Sequence, residues 1–71
     1  MPLQTMLALE LSAMLANIGV GDVDAVTQIS DVRMKIHAAC SDGAIPVQEW
    51  RVLIEESSTL LGGAQDLLWT R

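Results

Sequence analysis

The stretch C40-S-D-G-A-I-P-V-Q-E-W50 decides the fold. Ser41, Asp42 and Gly43 are turn formers, each able to end a helix in its own way. Ile45 is an apolar plug directly after them. Pro46 suits the first turn of a new helix, where its missing N–H costs nothing. Glu49 then falls near that helix's positive end, where a carboxylate is favoured. The stretch therefore predicts a tight helix–turn–helix joint.

Downstream, Trp50, Leu53, Ile54, Ser57, Leu60 and Leu61 recur at steps of three and four. That spacing predicts a helix over residues 46–61 with one inward stripe. Gly62-Gly63 are expected to stop it. A short tail, AQDLLWTR (residues 64–71), follows as a helical or extended segment carrying Leu67, Leu68 and Trp69.

Upstream, Ala25, Ile29, Val32, Ile36 and Ala39 mark the inner face of a helix over residues 23–39. Asp22 is its expected N-cap. Before that, Leu3, Leu7, Leu11, Met14, Leu15 and Ile18 predict a helix over residues 3–18, with Pro2 at its first turn and Gly19 and Gly21 ending it. Met6, Leu9 and Ala13 widen its apolar face, and a helix apolar over most of its circumference is buried on more than one side. Ala8, Ser12 and Ala16 stand four apart, either because Ala is a good helix former or as a ridge of small side chains that admits another helix closely. The expected architecture is one all-α domain over residues 1–71, a small three-helix unit with a short tail.

Composition agrees with folded helices. Apolar residues make up 51% of the chain and charged ones 18%, which argues against disorder. Phe and Tyr are absent, so Leu, Ile, Val, Met and Ala must build the core. A single cysteine, Cys40, excludes an internal disulfide, and with one histidine, His37, no closed zinc site is possible. A chain of 71 residues buries roughly 60% of its unfolded surface. Such thin cores often gain stability by oligomerising or docking on a partner.

Charge excludes further classes. The net charge is −5, and the four Lys/Arg stand at 33, 35, 51 and 71 against nine acids. Nucleic-acid binding needs a basic footprint, which is missing. A DNA-reading third helix would bring Arg51 with Glu49, Glu55 and Glu56, which repel phosphate. No Lys or Arg precedes Arg33, so no secretory signal is expected. Glu10, with Gln4, Thr5, Ser12 and Asn17, interrupts the first apolar stretch and disfavours a membrane span. A cytoplasmic or virion-associated location is the expectation.

Residues 38–49 resemble the loop of the EF-hand. Gly43 stands at its turn position, Ile45 at its apolar eighth position, Asp42 at its fifth and Glu49 at its twelfth. The resemblance implies calcium held by oxygen ligands, with Asp42 and Glu49 as the candidate metal ligands. Ala38, Cys40 and Pro46 replace the first, third and ninth positions, so most ligands are missing and no tight site is expected. Metal-free Asp-Gly-x-Ile-x-x-x-Glu turns of this kind are similar to those of small bacterial and phage-encoded helical proteins.

Catalytic chemistry is expected to be absent. Cys40 and His37, three apart, are the one nucleophile–base pairing within reach. GVGD (residues 19–22) lacks the strand and lysine of a phosphate loop. No cofactor is expected. What remains is surface: Leu3, Met6, Ala8, Leu9, Ser12, Ala16, Leu67, Leu68 and Trp69 are the expected partner-binding residues. They point to a non-enzymatic interaction protein or structural subunit, self-associated or bound to a protein partner, with a phage virion subunit as the concrete form. The alternatives are an acidic regulatory binder or inhibitor, and a weak calcium-binding protein.

Overall fold

The computed structural model describes residues 3–70. Among these the chain forms three helices: α1 (Met6–Ala16), α2 (Ala25–Ser41) and α3 (Val47–Thr70). The all-α expectation holds. Pro2 and Arg71, which entered the sequence reading, lie outside the described residues.

Helix α1 is shorter than the periodicity suggests, because polar groups set both its ends. Thr5 adopts an extended conformation, and its hydroxyl accepts from the Ala8 amide at 3.1 Å, an N-cap. At the other end Asn17 is the C-cap, two residues before the expected stop at Gly19. Gly19 instead opens the next turn, where its carbonyl accepts from the Asp22 amide at 2.9 Å. A Cβ on Gly19 would lie 2.9 Å from an Asp22 carboxylate oxygen, the end of an exposed side chain that would have to swing aside.

Helix α2 starts at Ala25, with Asp24 rather than Asp22 as its N-cap. The Asp24 carboxylate accepts from the Gln28 side chain at 2.9 Å and makes no capping bond to backbone. All five positions of the expected inner face, Ala25, Ile29, Val32, Ile36 and Ala39, are buried. The helix closes through a Schellman motif. Gly43 has φ 76°, its amide donates to the Cys40 carbonyl at 3.1 Å, and the Ala44 amide donates to the Ala39 carbonyl at 2.9 Å. Ile45 follows, buried in the core as its position predicts.

Helix α3 departs most from expectation. It does not stop at Gly62-Gly63 but runs on through residues 64–70. Each glycine costs a helix roughly 1 kcal/mol relative to alanine, by entropy alone. Packing offsets this: Ala64 is buried with Ala25 and Ile29, and Leu60 and Leu61 pack against them. The expected tail is therefore the last two turns of α3. At 1.5 Å per residue its 24 residues span about 36 Å, nearly the 39 Å long axis of the molecule.

Side-chain pairs show the topology. Thr5 bonds to Glu49 and Ser12 bonds to Glu56, seven residues further along in both helices. Helices α1 and α3 are therefore parallel, with α2 returning between them. The main core joins Ala8, Leu11 and Leu15 of α1, Val32, Ile36 and Ala39 of α2, Ile45, and Leu53 of α3. A second cluster of Ala25, Ile29 and Ala64 fills the far end.

Candidate interaction surface

The structure splits the expected partner-binding residues into three groups. Ala8 is a correction: it is fully buried in the chain's own core and offers nothing to a partner. Leu3 is half-buried and packs on the same core. Ser12 is half-buried, its hydroxyl donating to Glu56 at 3.1 Å. The small-residue ridge thus admits a helix closely, but that helix is the chain's own α3. Ala16, at the ridge's far end, is exposed and lines a shallow α1–α3 groove with Ser12, Leu15, Glu56, Thr59 and Leu60.

The second group is the outer face of α1. Met6 is 78% exposed, and Leu9 is also open to solvent. Helix α1 is thus apolar on both sides, as its composition predicts, but only one side is covered.

The third group lies at the end of α3. Leu67, Leu68 and Trp69 are exposed, Trp69 at 87%. They line a cleft of about 250 Å³ with Val20, Val23, Val26 and Ala64. Val23, in the α1–α2 connector, is 86% exposed, a contributor that no helical periodicity marks. The parallel α1/α3 register puts Thr5 beside Glu49 at one end, so Met6 and Trp69 sit near opposite ends of the bundle. Two apolar surfaces result.

The turn between α2 and α3 has a different use. Residues 38–41 are the last turn of α2, and Asp42, exposed, is its C-cap. Glu49 is only 5% exposed and faces α1. Its Oε2 accepts from the Thr5 hydroxyl at 2.7 Å, and its Oε1 accepts from the Thr5 amide at 2.9 Å and from the Gln4 amide. Burial pushes the carboxyl's pKa up, but the Thr5 hydroxyl and the Gln4 and Thr5 amides outweigh it and hold it below the ordinary value. Among the described residues no three His, Cys, Asp or Glu side chains gather as a metal site would require.

His37 and Cys40 are not paired with each other. The Trp50 indole N–H donates to His37 Nδ1 at 3.1 Å, with ring centroids 5.8 Å apart. Cys40 is half-buried against the core. No described helix is long and apolar enough to cross a membrane. In comparison with known proteins, no family model, no curated protein and no solved structure matches this chain.

Proposed function

We propose that this chain is a non-enzymatic interaction module, a structural or accessory subunit of a larger assembly, docking through the α3 end. The observation that carries this reading is Trp69, almost wholly exposed beside Leu68, Val23 and an apolar cleft. A tryptophan in such a setting is the residue type that dominates binding hot spots, because it buries a large area with one polar group to satisfy. The engagement of His37 by Trp50 supports a role without catalysis. A phage virion subunit, cytoplasmic or virion-associated, is the concrete form of this reading and rests on the likeness of its turn to those of phage-encoded helical proteins.

Sedimentation of the full chain at micromolar concentration tests this, with cross-linking alongside. The expected result is assembly by the wild type that Trp69→Ala combined with Leu68→Ser abolishes, at unchanged helical circular dichroism. Equal behaviour of wild type and variant overturns the reading.

Charge favours a second reading, an acidic binder of a basic partner. Residues 3–32 carry Glu10, Asp22, Asp24 and Asp31 without a single Lys or Arg. Salt separates the two: a complex that dissociates at high ionic strength is electrostatic, and one that persists is apolar.

A further inference from the structure

The polar contacts between α1 and α3 form a pattern. Thr5 and Ser12 are seven residues apart on one helix, and Glu49 and Glu56 are seven apart on the other. Each hydroxyl donates to the carboxylate at its own level. Both keys join α1 to α3, and among the described residues α1 makes no side-chain hydrogen bond to α2.

Helix α1 depends on these keys for its own structure. It has 11 residues, below the length at which an isolated helix holds together in water. It carries no acid in its first turn and no base in its last, so nothing of its own answers its dipole. Glu49 supplies that negative charge from α3, while also binding the Gln4 and Thr5 amides. Undocking therefore removes the negative charge at the helix's start and its surroundings, and leaves it only the local Thr5 cap.

The α2–α3 hairpin is provided for separately. The cluster of Ala25, Ile29 and Ala64 is packed by Val26, Leu60 and Leu61 of the hairpin and by Ile18 and Val20 of the α1–α2 connector, and contains no residue of α1 itself. The Schellman turn and the Trp50–His37 bond join α2 to α3 at the other end.

We propose that α1 is a hinged cover on the α2–α3 hairpin, held by the Thr5–Glu49 and Ser12–Glu56 keys and able to open while the hairpin stays folded. The pivot lies between Ile18, whose amide is bonded back to the Leu15 carbonyl of α1, and the turn in which the Asp22 amide bonds to Gly19. Opening uncovers the trough of Val32, Ile36 and Leu53 in which Leu11 and Leu15 sit.

Native-state hydrogen exchange on the full chain tests this, comparing amides of residues 9–16 with those of 29–36 and 53–60. Wild type is expected to show α1 amides exchanging on the order of tenfold faster than the hairpin, by a subglobal opening. Glu49→Ala should speed α1 by a further factor on the order of ten, as a lost charged acceptor does, and leave the hairpin within about twofold. Ser12→Ala, which removes only the lesser key, should act in the same direction and more weakly. Three outcomes overturn the proposal: exchange of all three helices at one common rate, indifference of α1 to both substitutions, or global unfolding of Glu49→Ala. The last would mean that the hairpin does not stand without its cover.

Discussion

Thr5 and Glu49, 44 residues apart, close one helix onto another: the Thr5 hydroxyl and amide both donate to the Glu49 carboxylate, at 2.7 and 2.9 Å. The same hydroxyl accepts from the Ala8 amide, so one threonine caps its own helix and ties it to α3. Thr5→Ala should therefore cost about 0.5–2 kcal/mol from the cap alone, and more where the Glu49 carboxylate loses its donor. Urea unfolding of the two chains measures this, and a Thr5→Ser variant should recover most of the loss.

The same carboxylate makes stability depend on pH with a definite sign. Glu49 sits below its ordinary value of 4.5 in the folded chain, so the unfolded chain takes up the proton first. Its contribution is complete above that ordinary value, falls as pH drops through it, and is gone below the folded-state pKa. Glu49→Gln carries no such titration. The stability gap between wild type and Glu49→Gln should be constant at neutral pH and shrink in acid from about pH 4.5 downward. A gap that widens in acid would refute the assignment.

Gly62 and Gly63 are helical in the middle of α3, and neither has a positive φ. A Cβ added at either meets nothing within 4 Å. Alanine at each position should therefore stabilise the protein by about 0.5–1 kcal/mol, chiefly by restricting the unfolded chain. The thermal midpoint of Gly62→Ala/Gly63→Ala checks this, and a fall in the midpoint would show a need for glycine that the packing does not reveal.

Gly43 should behave oppositely. Space is also open around it, but its φ of 76° lies where a side chain is strained. Gly43→Ala should cost about 1–2 kcal/mol, and Gly43→Asn less, since Asn tolerates the left-handed region. The contrast with Gly62 separates conformation from space as the reason for a glycine.

These glycines also show where sequence reading stopped. A Gly can end a helix, open a turn or sit in a helix, and the one-dimensional pattern treats all three alike. At Gly43 the neighbours Asp42 and Pro46 resolved the choice, and the turn is where it was expected. At Gly62 it was resolved by Ala64, whose burial against Ala25 and Ile29 is a contact between distant segments. The inner face of α2 was legible because its period is local. Glu49 was legible only as an acid near a helix start, because its partner lies 44 residues away. A trace of that pairing was nevertheless present: Thr5 and Ser12 share the seven-residue spacing of Glu49 and Glu56, a coincidence that acquires meaning once α1 and α3 are taken as parallel. The same limit explains Ala8 and Ser12. Small residues predict a close neighbour helix, and nothing in their spacing says whether that helix belongs to the same chain.

The two tryptophans report on different parts of the molecule, which allows the α3 end to be watched alone. Trp50 is half-buried and donates to His37, whereas Trp69 is almost fully exposed. Trp50→Phe removes an exposed hydrogen bond, at a cost of about 0.5–1.5 kcal/mol, and leaves Trp69 as the sole indole. At low protein concentration its emission should resemble that of a solvated indole and be quenched freely by acrylamide. If the α3 end is the docking surface, raising the concentration or adding the partner should shift the emission to the blue and protect it from quencher, because a tryptophan at an interface core loses its water. Leu68→Ser in the same background should remove the protection. Emission and quenching that stay solvated throughout an assembly detected independently by sedimentation would place the contact elsewhere, with the outer face of α1 around Met6 and Leu9 as the next surface to examine.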